Sequence, residues 1–286
     1  MGNAKGYLVF DIESVSDIDL IARVRHPGGD TSPEEALRIF REEQMEKKGS
    51  DFIPYTYQVP ISLVIAVVNG DLAITKVECL KWEDGGPKKI AEDFWNLWRE
   101  RGKPTFVTFN GRGFDIPMME MMAFRYGIPV PEWFEANGSY SPRNRYNTSA
   151  HFDLYEFMSN FGSSPINGGL DLSAKVLQKP GKIDTHGDMV QDMFMRGEYA
   201  DIHGYCFCDV IDTYFVFLRC KLLTGEITPE REAELIRNTR QMLTVSSGTR
   251  PPIKKYLEAW AAAESAETVE HRMEQKAAQA EQPVSP

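Results

Sequence analysis

The apolar run Leu8-Val-Phe10 passes straight into Asp11-Ile-Glu13, so the strand it predicts carries charge into whatever core it enters. Side chains alternate along a strand, and an Asp-x-Glu at its end therefore points both carboxylates to one side. Two further acidic signals follow. Asn110-Gly-Arg-Gly-Phe-Asp115 comes after a second apolar run, and Tyr205-Cys-Phe-Cys-Asp209 lies within a long helical pattern. Tyr205 and Asp209 stand four apart and share a helix face. Four carboxylates that meet at one point cannot all stay ionised unless something positive sits among them. Hard divalent cations that prefer oxygen, such as Mg²⁺ or Mn²⁺, meet that need. Two of them about 3.5–4 Å apart form the clamp used for in-line phosphodiester hydrolysis.

In this order the three signals resemble the DEDD superfamily of 3′–5′ exonucleases, which has an RNase H-like fold. Members carry Asp-x-Glu, then Asn-x-x-x-Phe-Asp, then Tyr-x-x-x-Asp or His-x-x-x-x-Asp. The tyrosine form is present here, and Gly204 stands where the histidine form needs its histidine. Within the superfamily the chain is most similar to the predicted PolB-like exonucleases, a group related to the proofreading domain of family B polymerases. That likeness rests on Tyr205-Cys-x-x-Asp-Val-x-x-Thr-Tyr214, on Leu218-Arg219 and on Gly225. It spans about residues 5–225, and its motifs gain force only jointly.

The resemblance implies that Asp11, Glu13, Asp115 and Asp209 hold two divalent cations, Mg²⁺ or Mn²⁺, and that the Tyr205 hydroxyl orients the attacking water. A tyrosine with a pKa near 10 is a poor general base at neutral pH, so the metal must supply most of the activation. Ser14, Asn110 and Phe114 are the implied substrate contacts. The expected activity is 3′–5′ removal of nucleoside 5′-monophosphates from single-stranded or 3′-frayed nucleic acid, with DNA preferred. An RNA exonuclease of the same superfamily is the alternative within the class. A non-catalytic metal-containing nucleic-acid-binding module is the alternative outside it, and the intact set of four carboxylates plus tyrosine speaks against that.

Each residue also has a plainer reading. Asp115 suits the N-terminal end of a helix through the helix dipole. Phe114 suits the core, and Asn110 suits a turn with Gly111 and Gly113. Asp212 lies one turn further along the face of Asp209 and competes with it, although the Tyr-x-x-x-Asp spacing favours Asp209. His151 and Asp153 form a possible metal pair, with capping or core roles favoured. Lys175, Lys179, Lys182, Arg143 and Arg145 are candidates to track phosphates, with Tyr140 and Tyr146 interleaved for stacking on bases. A solvated surface role is the plainer reading for each. Cys206 and Cys208 lack a second pair at zinc-ligand spacing and read as reduced, core-lining thiols.

The order of elements predicts an α/β fold: a mixed β-sheet of RNase H-like type with helices on both faces. Strands are expected at 7–12, 62–68, 72–80 and 105–109, with a hairpin at Asn69-Gly70-Asp71. Helices are expected at 33–48, 88–101, 114–126, 170–177, 188–196, 199–223 and 229–242, and 151–157 reads as a short strand or a helix start. Residues 52–60, aromatic and proline-rich, read as irregular. Met118, Met119, Met122 and Phe124 are expected to line the apolar side of their helix. The domain reading is an exonuclease domain over 1–225 with an insertion at 17–58, a helical extension over 226–263 and a disordered tail over 264–286. A net charge of −10 argues against a protein that coats nucleic acid by charge alone, but not against a nuclease. No apolar stretch is long enough to span a membrane, the first residues leave no room for a signal peptide, and a cytoplasmic location is expected.

Overall fold

The computed structural model describes residues 6–183, 187–248 and 251–266. Among the described residues, five strands form one sheet: β1 Tyr7–Ser16, β2 Gln58–Val68, β3 Ile74–Lys81, β4 Thr105–Thr108 and β5 His151–Asp153. Their spatial order is β3-β2-β1-β4-β5. The β1–β2 and β2–β3 pairs are antiparallel, whereas β1–β4 and β4–β5 are parallel. The helices are α1 Ile18–Arg25, α2 Pro33–Lys48, α3 Gly86–Glu100, α4 Asp115–Tyr126, α5 Pro131–Phe134, α6 Leu154–Met158, α7 Gly169–Val176, α8 Val190–Met195, α9 Tyr199–Leu223, α10 Pro229–Ser247 and α11 Pro251–Ser265.

Alternation along the central strands sorts the core into two layers. Leu8, Phe10 and Ile12 of β1 join Leu63, Ile65 and Val67 of β2 against α3 and α4, with Phe94, Trp95 and Met118 between them. Val9, Val64, Ala66 and Val68 face the other way, onto Cys206, Val210 and Phe217 of α9. Strand β2 is buried at every position, which is why it reads as a continuous apolar run. Helices cover both faces of a mixed sheet, as the RNase H-like expectation requires.

Two departures from the predicted elements matter for the site. Strand β1 continues to Ser16, and Asp17 then caps α1 by accepting the Leu20 N–H at 3.0 Å. Strand β2 begins at Gln58 and runs through Pro60, in a stretch that reads as irregular. Its pairing with β3 stops at Ser62, so the missing N–H of Pro60 faces no β3 neighbour. Between β2 and β3, the Asn69 side chain accepts the Asp71 and Ala73 N–H groups, and Leu72 takes a φ of 66°, which delays β3 to Ile74.

Other segments follow their local chemistry. Ser32 caps α2, Pro33 occupies its first turn, and left-handed Gly49 ends it. Residues 151–157 are both strand and helix start. Met118, Met119 and Met122 are buried as expected, but Phe124 is 84% exposed. It stands two residues beyond Met122 and so points to the opposite side of α4. Helix α11 closes against α9 through Tyr256 and Trp260, and its Glu264 pairs with Arg240 at 2.8 Å. The remainder of the expected tail, 267–286, lies outside the described residues. Among the described residues, no helix is long and apolar enough to cross a membrane.

Candidate active site

Strand β1 pairs with β4 only as far as Val9 and then runs on past the end of β4. Helix α4 begins in the space beyond β4, with Asp115 as its first residue. The Ile12 N–H lies near the carboxylates of both Asp11 and Asp115, and the helix start thus sits beside the strand. Asp11 and Glu13 share the parity of Val9, which packs beneath α9, and both carboxylates turn towards that helix. Helix α9 presents Tyr205 and Asp209 there. The Cys206 thiol donates to the Asp11 carbonyl at 3.3 Å, fixing the separation of helix and strand. Ligand atoms of Asp11, Glu13 and Cys206 all lie within 4.8 Å of one another. These groups gather at the carboxyl ends of two parallel strands, where open α/β sheets form their crevices.

The β1–β2 ladder slips one register between Glu13 and Ser14. Beyond the slip, Val15 packs on the α3 side with Ile12, although unbroken alternation would send it to the α9 side. Glu13 is therefore the last β1 residue before the strand is re-aimed.

Charge dominates the chemistry of this cluster. Burial pushes the Asp11 carboxyl up to about 8, and the nearby Asp115 adds to the rise. Asp11 keeps a strip of exposed surface, but packed atoms surround its carboxylate. Burial likewise takes Asp209 to about 8, reinforced by Asp11, and Asp115 to about 7. Glu13 is raised by burial, then by Asp11 and Asp209. Lys182 is the cation that opposes these shifts at Asp11, Glu13 and Asp209. Its ammonium lies 5.6 Å from the Tyr205 ring centroid. The Tyr205 hydroxyl is raised by burial and by the Asp209 carboxylate beside it. Burial also raises the Cys206 thiol, which stays protonated and leaves the oxygens as the donor set. Among the described residues, one lysine beside four carboxylates leaves a charge deficit that oxygen-preferring divalent cations fit.

Among the described residues, clefts open on two sides of the carboxylates. One, of about 410 Å³, is lined by Glu13, Ser14, Phe52 and Phe114. The other, of about 290 Å³, is lined by Lys182, Tyr205, Asp209 and Pro252. Ser14 and Phe114 thus adjoin Glu13, and the Ser14 hydroxyl donates to Gln58. Phe114 packs against the core with one part and meets Phe52 with another. Asn110 stands apart. It is exposed, adopts a φ of 63° and lines a separate cleft with Arg112 and Arg145. Gly111 beside it passes so close to Thr108 that a Cβ would lie 2.4 Å from its hydroxyl oxygen.

Asp212 turns away from the cluster and accepts the Tyr256 hydroxyl at 2.5 Å. His151 bonds Thr108 within the sheet at 2.8 Å. Asp153 caps α6 and accepts the Asn110 and Arg112 N–H groups, which braces the loop leading to Asp115. Lys179 is buried, with its ammonium 4.7 Å from the Trp260 ring centroid and 5.3 Å from that of Phe215. This corrects its reading as a phosphate contact or a solvated residue. Arg143 and Arg145 pair with Glu120 and Glu156, Lys175 pairs with Asp171, and Tyr140 and Tyr146 are exposed. The Cys206 thiol contact and the place of Phe52 have no signature in the sequence, and Lys182 is one lysine among several there.

The sheet order and its covering helices define an RNase H-like exonuclease fold. Residues 50–260 match a family described as predicted 3′–5′ exonucleases related to the exonuclease domain of PolB, and the chain belongs to that family. The matched span includes Asp115, Tyr205 and Asp209. It leaves out β1, so Asp11 and Glu13 join the others through the fold. No curated protein matches the chain.

Proposed function

We propose that the protein is a metal-dependent 3′–5′ exonuclease that removes nucleotides from single-stranded or frayed 3′ ends of DNA. The observation that carries this reading is the meeting of carboxylates from β1, α4 and α9 close to Lys182, with the Tyr205 hydroxyl beside Asp209. The family's kinship with the PolB exonuclease domain favours DNA over RNA.

In this reading Asp11, Glu13, Asp115 and Asp209 hold two Mg²⁺ or Mn²⁺ ions. Bound there, such ions supply Lewis acidity, both for activating the attacking water and for stabilising the leaving 3′ oxygen. The protein's own part is to hold the reactants in line. Tyr205 has its hydroxyl pushed above the ordinary tyrosine range, so it does not act as a base. Its hydroxyl hydrogen goes to Asp209, and the oxygen lone pairs remain to position a water. Lys182 offers a positive charge beside the scissile phosphate. Ser14 and Phe114 contact the terminal nucleotide in the cleft beside Glu13, and Asn110 meets the strand where it leaves the site. Hydrolysis breaks the bond from phosphorus to the 3′ oxygen, giving a nucleoside 5′-monophosphate and a shortened strand with a new 3′ hydroxyl.

The deciding assay uses end-labelled single-stranded DNA, duplex DNA and RNA, each with Mg²⁺, Mn²⁺ or EDTA. Stepwise shortening of single-stranded DNA from its 3′ end, lost in EDTA, is the expected result. No shortening of any substrate with either metal would leave a binding module instead.

A further inference from the structure

The cleft beside Glu13 has one wall that the catalytic motifs do not account for. Phe52 lies between α2 and β2, and its side chain is 57% exposed. Its ring centroid is 5.9 Å from that of Phe114, with the planes inclined at 53°. Both rings line the cleft that Glu13 and Ser14 open into, and its volume of about 410 Å³ is ample for one nucleoside.

The position of Phe52 is built into the fold. The Gln58 side-chain amide donates to the carbonyl of Ile53, the next residue, and the Gln58 oxygen accepts the Ser14 hydroxyl. Gln58 is buried, so a single side chain ties the segment carrying Phe52 to the strand carrying Glu13 and Ser14. Buried Ile53 anchors the same segment to Phe40 of α2. The polar edge of the cleft also lacks partners. Arg41 lines it and makes no ion pair among the described residues. Gln191 lines it too. Its oxygen accepts the Ser16 N–H at 2.8 Å, and its amide nitrogen has no partner among the described residues.

Two aromatic faces with unpaired N–H donors around them suit a flat ring whose rim carries acceptors. A nucleobase has that chemistry, whereas a phosphate or a bare sugar has no use for the rings. Building on the exonuclease reading, we infer that Phe52 and Phe114, tilted against each other, form an aromatic jaw against whose open faces the base of the 3′-terminal nucleotide packs. Phe52 is thus a positioning residue that makes the enzyme require a base at the terminus, whichever base it is. Sequence tolerance follows because every base offers a π face.

The test compares wild type, Phe52→Ala and Phe52→Tyr on three substrates. These are a single-stranded oligonucleotide, the same oligonucleotide ending in an abasic tetrahydrofuran residue, and the p-nitrophenyl ester of thymidine 5′-monophosphate. Phe52→Ala should raise KM by about 5- to 150-fold on the oligonucleotide, the range of one base–aromatic stack. A similar rise is expected on the ester, which contains only one nucleoside. The abasic substrate should respond little, and Phe52→Tyr should restore wild-type values. An equal loss on the abasic substrate, or no loss on the ester, would overturn the jaw while leaving the exonuclease intact. If wild type cleaves nothing, the exonuclease reading fails by itself. Calorimetric binding of thymidine 5′-monophosphate in Mn²⁺ then decides the jaw, which stands if Phe52→Ala weakens binding and falls if wild type and variant bind alike or wild type does not bind.

Discussion

Asp209 and Asp212 lie within one turn of each other on α9 but meet different neighbours. Asp209 faces Asp11, Glu13 and Lys182, whereas Asp212 accepts the Tyr256 hydroxyl and closes the contact with α11. Asp209→Ala should therefore cut turnover by several orders of magnitude while leaving the far-ultraviolet circular dichroism unchanged. Asp212→Asn should keep turnover and change the pH dependence of stability instead. Burial pushes the Asp212 carboxyl up to about 8, against roughly 4 for an unfolded aspartate. A carboxyl raised by folding contributes its full stability below pH 4 and loses it as the pH climbs through 8. Between pH 5 and 8, with Mg²⁺ saturating, wild type should thus lose Tm that Asp212→Asn retains. Parallel Tm curves for the two proteins would refute this. The Tyr205 hydroxyl calls for a different measurement. Tyr205→Phe keeps the ring against the core and deletes the oxygen, so the loss should fall on turnover, by roughly 10- to 1000-fold, or about 1.4–4 kcal/mol of barrier. Mn²⁺ affinity should hold because the four carboxylates remain, and unchanged turnover would make Tyr205 a packing residue.

Among the elements, those with a complete local code were legible in the sequence. Helix α9 combines a long, largely apolar run with Gly225 beyond its end, and both of its boundaries fall where the sequence puts them. Helix α2 has its cap, its proline and its closing glycine. The start of β2 was not legible, because Pro60 argues against a strand until the short reach of β3 is known. The parity change at Glu13 likewise follows from the pairing of two strands and is absent from either strand alone. Helix α11 carries too few apolar residues to announce a core role, but Ile253, Tyr256 and Trp260 are all buried. It also stands directly over the site-bearing helix, since a Cβ at Gly204 would meet Pro252 at 2.2 Å. A chain ending at residue 248 should therefore lose much of its stability, as losing the Trp260 contact alone is worth about 3–5 kcal/mol. A chain ending at residue 266 should keep its Tm and its turnover, because 267–286 are poor in large apolar residues. Equal Tm values for the two truncations would mean that α11 is dispensable.

For the molecule as a whole, the meeting of distant segments turns a sequence pattern into a site. Motif order and spacing made the carboxylates legible through resemblance, but their convergence depends on β1 outrunning β4 and on α9 crossing the same sheet end. The Cys206 strut and the Phe52 wall come from tertiary packing and were not legible, and Lys182 was legible only as one of several candidate phosphate contacts. That packing also has a consequence for global stability. In the metal-free protein, burial and mutual repulsion of the four acids both cost stability, over and above a net charge already at −10. A cation that binds the folded chain and not the unfolded one stabilises it by mass action, by about 2.7 kcal/mol at a hundred times its dissociation constant. Scanning calorimetry should thus show Tm rising with Mn²⁺ concentration and falling back in excess EDTA. Glu13→Gln removes one donor and one repulsion together, so it should melt higher than wild type in EDTA and gain less from Mn²⁺. The crossing of the two titrations, rather than either Tm alone, separates a metal centre from a cluster of acids that is merely crowded. A Tm in wild type that ignores Mn²⁺ throughout would remove the metal from the mechanism.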